Sequence, residues 1–195
     1  MPRAGLTRER VIAGAAELAD EVGYDALTLA AVAARFRVRL PSLYKHVEGL
    51  DALRSGISAL AVRELADELG SSAVGRSGSE ALGAVSHRYR DYAHRHPGRY
   101  AATLRAPAPD DTALAAASEA VLQVVFAVLG GFGLSGADLV DATRVLRSAL
   151  HGFVSLEAAG GFGMPQDVDR SFERLVAGLD AGLQNWGSGA PRIAS

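Results

Sequence analysis

The sequence predicts an all-α protein of about nine helices. A helix-turn-helix segment at the N-terminus precedes a helical-bundle region. Three observations carry this prediction. Apolar residues recur at helical spacing along most of the chain. Gly, Pro and short hydroxyl residues stand at the ends of these stretches. No stretch alternates with period two for long enough to make a strand.

The elements follow in order. Thr7 caps a first helix to about Val22, with Val11, Ala15, Leu18, Ala19 and Val22 on one face. Gly23 suits a left-handed position after its last turn. Thr28 caps a short helix from Leu29 to about Phe36. A break carrying Arg37, Val38 and Arg39 follows, and a second short helix starts at Pro41, whose missing N–H is no loss in a first turn. After Glu48-Gly49 a longer helix runs to about Leu69, and the Gly- and Ser-rich stretch Gly70–Gly78 reads as a loop. Ser79 caps a helix to about Arg95, and Pro97 starts a short one with Tyr100 and Leu104 inward. An apolar helix spans about Thr112–Leu129. Ser135-Gly136-Ala137-Asp138 has the form of a capping box with Asp for Glu, opening a helix to Ala159. The last helix runs from about Asp167 to Trp186.

The repeated Gly-Gly-Phe-Gly at Gly130 and Gly160 reads as two helix stops, since it lacks the lysine and strand context of a phosphate loop.

A chain of 195 residues, 49% hydrophobic, holds one or two small domains with a sizeable core. It has no cysteine, so disulfides and thiolate metal sites are excluded. The N-terminus lacks the apolar core of a signal peptide. The longest strongly apolar piece reads as Ala120–Leu129, short of the roughly 18 residues of a membrane span. A cytoplasmic location without membrane contact is expected.

The net charge is -2, so the chain is no bulk polycation. Locally the balance reverses: between Arg35 and His46 stand Arg35, Arg37, Arg39 and Lys45, the only lysine, with no acid among them. Two short helices joined by a tight turn, the second basic and aromatic, form the pattern of a helix-turn-helix that reads duplex DNA. Such cations neutralise phosphates and orient a helix on the duplex.

The segment Leu6–Leu53 resembles the N-terminal domain of the TetR family of transcriptional regulators. The matching pieces are Arg10-Val11-Ile12, Gly23, Thr28, Val32-Ala33, Val38, Ser42-Leu43-Tyr44-Lys45-His46-Val47 and Asp51-Ala52-Leu53. Family members often carry Phe where Val47 stands, and the family's usual residues are glycine at the place of Arg37, Ser or Thr at that of Arg39 and, commonly, lysine at that of Leu50. The resemblance implies a DNA-binding domain over residues 1–47 and a ligand-binding and dimerisation domain over 48–195. It implies that Thr28, with the helix N–H groups behind it, faces a phosphate. Leu40 or Pro41 would touch a thymine methyl. Ser42, Lys45 and His46 would meet base edges or nearby phosphates. Tyr44 would bond a phosphate, and Arg37 and Arg39 the backbone or a base.

The resemblance further implies a ligand-responsive repressor. Its partners would be an operator with inverted-repeat symmetry, a small-molecule effector and a second copy of the chain. The helix Leu50–Leu69 would couple the two domains. Tyr89, Tyr92, Tyr100, Phe126, His151 and Phe153 are the candidate effector contacts, each with a plain core role as the alternative. His151-Gly152 is similar to the signature of a Trp-His-Gly subclass, without its tryptophan.

No cofactor is expected. No carboxylate pattern at helical spacing completes a ligand set with His87, His94 and His96. Two other readings stay open: an interaction module whose helix-turn-helix no longer reads DNA, and a small all-α enzyme around His151 and Asp141 or Asp138. Dimerisation is expected through the last two helices, with Leu146, Leu150, Val154, Leu175, Leu179 and Leu183 as candidate interface residues.

Overall fold

The computed structural model describes residues 6–186. These form α1 (Arg8–Val22), α2 (Leu29–Arg35), α3 (Leu40–Leu43), α4 (Leu50–Ala73), α5 (Gly78–Arg95), α6 (Pro97–Ala102), α7 (Thr112–Gly130), α8 (Gly136–Ala158) and α9 (Val168–Gln184), with no strand among the described residues. The chain divides into two compact units. One holds the described residues of Met1–Glu68 and Asp91–Val121, the other those of Leu69–Arg90 and Leu122–Ser195.

The first unit is built on α1. Thr7 accepts the Arg10 N–H at 3.3 Å, and Gly23 ends the helix at φ +91, a backbone that L side chains rarely adopt. Val11, Ala15, Ala16 and Leu18 share one core with Leu27, Val32, Ala33, Leu43, Val47, Leu53, Ile57, Ala61 and Ala102. A smaller cluster joins Ala59 and Val62 of α4 to Leu114 and Ala117 of α7.

Behind α1 lies α6. A Cβ built on Gly98 would overlap the carbonyl group of Ala19 and stand 2.5 Å from the Asp20 nitrogen, so the two main chains touch. Asp20 accepts the Arg99 backbone N–H at 2.8 Å and pairs with its guanidinium at 3.1 Å. Arg99 also reaches Glu64 of α4 at 3.3 Å.

The second unit buries Ala81, Leu82 and Val85 of α5, Val128 and Leu129 of α7, Ala142, Leu146, Leu150 and Val154 of α8, and Phe172, Val176 and Leu183 of α9. Arg90 is its main polar tie. The guanidinium makes two bonds to Glu157 and one to Asp169 at 2.7 Å, and lies 4.9 Å from the Phe172 ring centroid.

Several expectations need correction. α4 continues to Ala73 through Gly70, Ser71 and Ser72 instead of giving way to a loop after Leu69. Gly70 lies against Val124, and Ser72 donates to the Leu69 carbonyl at 2.7 Å, so local packing outweighs the ~1 kcal/mol helix penalty of glycine. Leu104 is 45% exposed, because α6 stops at Ala102 and releases the chain before that residue could turn inward.

Ser135 has extended cap geometry but makes no side-chain capping bond, and Gly136 behind it stands at φ +58. The two Gly-Gly-Phe-Gly stretches differ in geometry: the positive φ falls on Gly133 in one and on Gly160 in the other. α7 is longer than its strongly apolar piece. Carried on through the alanines of its first half, it is the one described helix long and apolar enough to cross a membrane by length and composition.

Of the candidate interface residues, Leu146, Leu150, Val154 and Leu183 are buried within the second unit itself. They lie on the inward stripes of α8 and α9, so they fill this subunit's own core.

Removing the Glu157 carboxylate would leave Arg90, 13% exposed, short of two bonds. Glu157→Ala should destabilise the protein on the order of 2 kcal/mol, read as a lowered urea midpoint with an unchanged slope.

Candidate nucleic-acid interface

The turn between α2 and α3 is a Schellman motif. Phe36 caps α2, the Arg37 N–H bonds to the Ala34 carbonyl at 3.0 Å, and the Val38 N–H to the Ala33 carbonyl at 3.0 Å. The motif demands a left-handed residue after the cap. Arg37 fills that place at φ +54, the only positive φ on a non-glycine among the described residues. Val38 then folds back onto the core.

α3 is a single turn, Leu40–Leu43, so Pro41 falls at the second helical position and not the first. The missing N–H still costs nothing, because no residue of the first turn has a helical acceptor. Arg39 stands at the cap with no side-chain bond, since its guanidinium can only donate. Tighter turns carry the chain on: the His46 and Val47 N–H groups both bond to the Leu43 carbonyl, at 2.9 and 3.2 Å.

Leu43 (1% exposed) and Val47 (3%) are one turn apart and sit in the core. Their burial decides what faces outward. Leu40, Pro41, Tyr44 and Lys45 are exposed, while Ser42 and His46 are half-buried. Arg37 and Arg39 are exposed beside them. Thr28 is exposed at the start of α2, where its Oγ1 accepts the Ala31 N–H at 3.1 Å.

The four cations of this segment are not equivalent. Arg35 is tied to Glu17 at 3.0 Å and Glu21 at 2.8 Å on α1, and hydrogen bonds to these two, Glu17 first, raise its pKa. It staples α2 to α1. Arg37, Arg39 and Lys45 make no ion pair among the described residues, which leaves three cations open to solvent.

Tyr24 is a support that sequence reasoning missed. Its hydroxyl donates to the Arg54 carbonyl at 3.3 Å and lies 3.2 Å from Ser58 Oγ, while the Arg54 guanidinium lies 5.6 Å from its ring centroid. The loop between α1 and α2 is thereby fixed to α4. An aromatic directly after the terminating Gly23 was the available signal.

The aromatic residues considered for an effector fall in both units. Tyr92 and Tyr100 are buried in the first. The Tyr92 hydroxyl donates to the Ala61 carbonyl at 3.1 Å, and burial, followed by the Glu64 charge, pushes its pKa up. Tyr89, Phe126, His151 and Phe153 are half-buried in the second unit. The Phe153 ring packs at a tilt against Phe162 at 4.8 Å and edge-on to Phe172 at 5.2 Å, and His151 Nδ1 is 3.3 Å from Ser155 Oγ one turn along α8.

A cavity of about 730 Å³ opens in the first unit where α4 and α7 begin, among Glu48, Asp51, Ser55, Arg105 and Asp111. None of the six aromatic or histidine candidates lines it. Among the described residues no three His, Cys, Asp or Glu side chains gather as metal ligands.

An all-helical chain that presents a cationic, aromatic turn on a helix-turn-helix frame belongs to the class of DNA-binding regulators. Comparison with known proteins specifies the family. Residues 11–49 match the bacterial regulatory proteins of the tetR family, and residues 82–179 match the tetracyclin repressor-like C-terminal domain. An uncharacterized HTH-type transcriptional regulator of Mycobacterium tuberculosis is 37% identical over 93% of this chain and 83% of its own. One of Bacillus subtilis is 34% identical over 93% of this chain and 95% of its own.

Among solved structures, a TetR variant of Acinetobacter baumannii in complex with minocycline is 25% identical, with TM-score 0.70 over 95% of this chain and 100% of that one. The Streptomyces coelicolor TetR family protein ActR in complex with (S)-DNPA shares the fold at 18% identity, with TM-score 0.66 over 95% and 100%. The chain belongs to the TetR family of DNA-binding transcriptional regulators.

Arg37 holds a strained backbone for a side chain that glycine relatives lack. Arg37→Gly should raise stability by about 1 kcal/mol and lower affinity for duplex DNA. Thermal melting and DNA titration of the same preparation check both signs.

Proposed function

We propose that this protein is a ligand-responsive repressor that binds an inverted-repeat operator as a homodimer. The observation that carries the reading is the outward set Arg37, Arg39, Tyr44 and Lys45, unpaired among the described residues and held over the buried pair Leu43 and Val47. Arg37, Arg39 and Lys45 contact phosphates or a base, Tyr44 and Thr28 phosphates, Leu40 and Pro41 a thymine methyl, and Ser42 and His46 base edges or nearby phosphates. Residues 1–47 serve as the DNA-binding domain and 48–195 as the effector-binding and dimerisation domain, in the cytoplasm. Support for an effector comes from relatives: structures of this fold include complexes with minocycline and with (S)-DNPA. An effector that prefers a splayed pair of readers draws the population off DNA.

For the dimer, the exposed stripes of α8 and α9 replace the buried leucines as candidates. Val145 (44% exposed) and Leu156 (53%) on α8 flank the half-buried Ala149 and Gly152. On α9 the half-buried Leu175 and Leu179 alternate with the exposed Gly178 and Gly182. Small residues between large apolar ones allow two helix pairs to approach closely around a two-fold axis.

An interaction module without DNA binding would need no open cations on the turn. A catalytic reading draws no support from the geometry, since Asp141 pairs with Arg144 at 3.3 Å on the surface of α8. Gel-shift titration against the chain's own upstream DNA tests the reading.

Tyr44→Ala and Lys45→Ala should each weaken operator binding without lowering the melting temperature. Lys45→Ala should also flatten the log-affinity against log-salt slope by about one unit for the phosphate its ammonium neutralises, whereas Tyr44→Ala, which removes a neutral hydroxyl, should leave the slope unchanged. Leu179→Glu should give a monomer by light scattering and lose specific DNA binding with it. A DNA-competent monomer would remove the paired-reader mechanism.

A further inference from the structure

We infer that the seam between α5 and α9 holds a binding site for a primary ammonium group, seated between Asp180 and Ser86. The site lies wholly in the second unit, and its test needs no DNA.

Three contacts set the register of the seam. Gln184 donates to Ser79 Oγ at 3.1 Å, Glu173 lies 3.2 Å from His87 Nε2, and Asp169 accepts from Arg90 at 2.7 Å. The two helices therefore run antiparallel. Asp169, Glu173, Val176, Asp180 and Gln184 recur every three or four residues and form one stripe of α9. Ser79, Gly83, Ser86 and Arg90 form the facing stripe of α5. Interpolation between the contacts puts Asp180 across from Gly83, with Ser86 one turn further along α5.

Polar pairs close both ends of the seam and leave its middle open. The Ser86 side chain is fully buried, and its hydroxyl has no hydrogen-bond partner among the described residues. Asp180 Oδ2 accepts from Gln184 at 2.8 Å, while Oδ1 is buried without a partner among the same residues. The seam's own cationic groups are engaged elsewhere, Arg90 by Glu157 and Asp169 and His87 by Glu173. At the same level, a Cβ built on Gly83 would meet no atom within 4 Å.

Two buried acceptors beside open space call for a donor, because each is costly to leave unpaired. One of them belongs to a carboxylate without a counter-ion, so the donor that suits it is a cation. Gly83 and Ser86 are three residues apart, about 4.5 Å along the helix axis. A single nitrogen bonded to both oxygens at about 2.8 Å spans that distance. A primary ammonium group carries three donors on one such nitrogen, whereas a quaternary ammonium carries none. A water molecule could bond to both oxygens but would leave the charge of Asp180 uncompensated.

The test is thermal melting and calorimetric titration of the full-length protein with methylammonium chloride, against tetramethylammonium chloride at the same ionic strength. Methylammonium should raise the wild-type melting temperature by several degrees and bind at about one equivalent per chain. Tetramethylammonium should do neither. Asp180→Asn and Ser86→Ala should each weaken methylammonium binding at least about tenfold. Gly83→Leu should abolish it by filling the open space. Should the Ser86 or Gly83 variant fail to fold, Asp180→Asn, which keeps the shape of the side chain, decides alone. Ammonium chloride and butylammonium chloride separate the two sources of this chemistry. Equal affinity assigns the site to the free ion, and tighter binding of the longer amine assigns it to the head of an organic amine.

A wild type unmoved by methylammonium overturns the inference and leaves the two oxygens to a bound water. An equal response to tetramethylammonium overturns it as well, as does an Asp180→Asn protein that binds methylammonium like the wild type.

Discussion

Everything the reader presents to solvent follows from where Leu43 and Val47 go. Both are driven into a core made by α1, α2 and the first turns of α4, and their burial leaves α3 one orientation. With that pair inside, Leu40, Pro41, Tyr44 and Lys45 have to face outward. Val47 meets this demand, because the position asks for an apolar group of adequate size and not for a ring. The chemical surface is thus a by-product of packing, and the single turn of α3 needs no helix stability of its own.

The tight entry to α3 brings a conflict between backbone and charge. The Schellman turn favours glycine, and the chain places arginine there at φ +54. The strain is local, while the guanidinium adds a third open cation to a protein whose net charge is -2. Cation distribution matters more than the total. Arg35, in the same run, is held by Glu17 and Glu21 and joins α1 to α2, so a basic segment in sequence divides into one structural and three available charges. A slightly acidic remainder also disfavours indiscriminate binding to nucleic acid.

Charged groups brace each unit internally. In the first, Asp20, Arg99 and Glu64 connect α1, α6 and α4. In the second, Arg90 connects α5 to Glu157 and Asp169 while its plane lies over Phe153 and Phe172. In both, an arginine takes up more than one carboxylate, which suits its fixed fork of donors. Such ties specify geometry more than they add stability, because desolvation offsets much of the Coulomb gain. Burial of Tyr92 has a similar basis, since its hydroxyl finds a main-chain acceptor within the first unit.

The helical class, the helix order and the helix-turn-helix were legible along the chain, as were the caps at Thr7 and Thr28 and the helix start at Asp167. All of these depend on residues within a few positions of one another. Other features depend on residues far apart. The continuation of α4 past Gly70 rests on the side chain of Val124, and the burial of Leu146, Leu150, Val154 and Leu183 on which stripe of each amphipathic helix met its own subunit. A periodic apolar face shows that a helix packs against something, without showing what. Long-range packing alone settled that Arg35 is tied to α1, that Tyr24 holds α4, and that Gly98 is glycine because another main chain lies against it. Each of these pairs residues at least 14 positions apart, as for Arg35 with Glu21, a separation at which no local spacing rule applies.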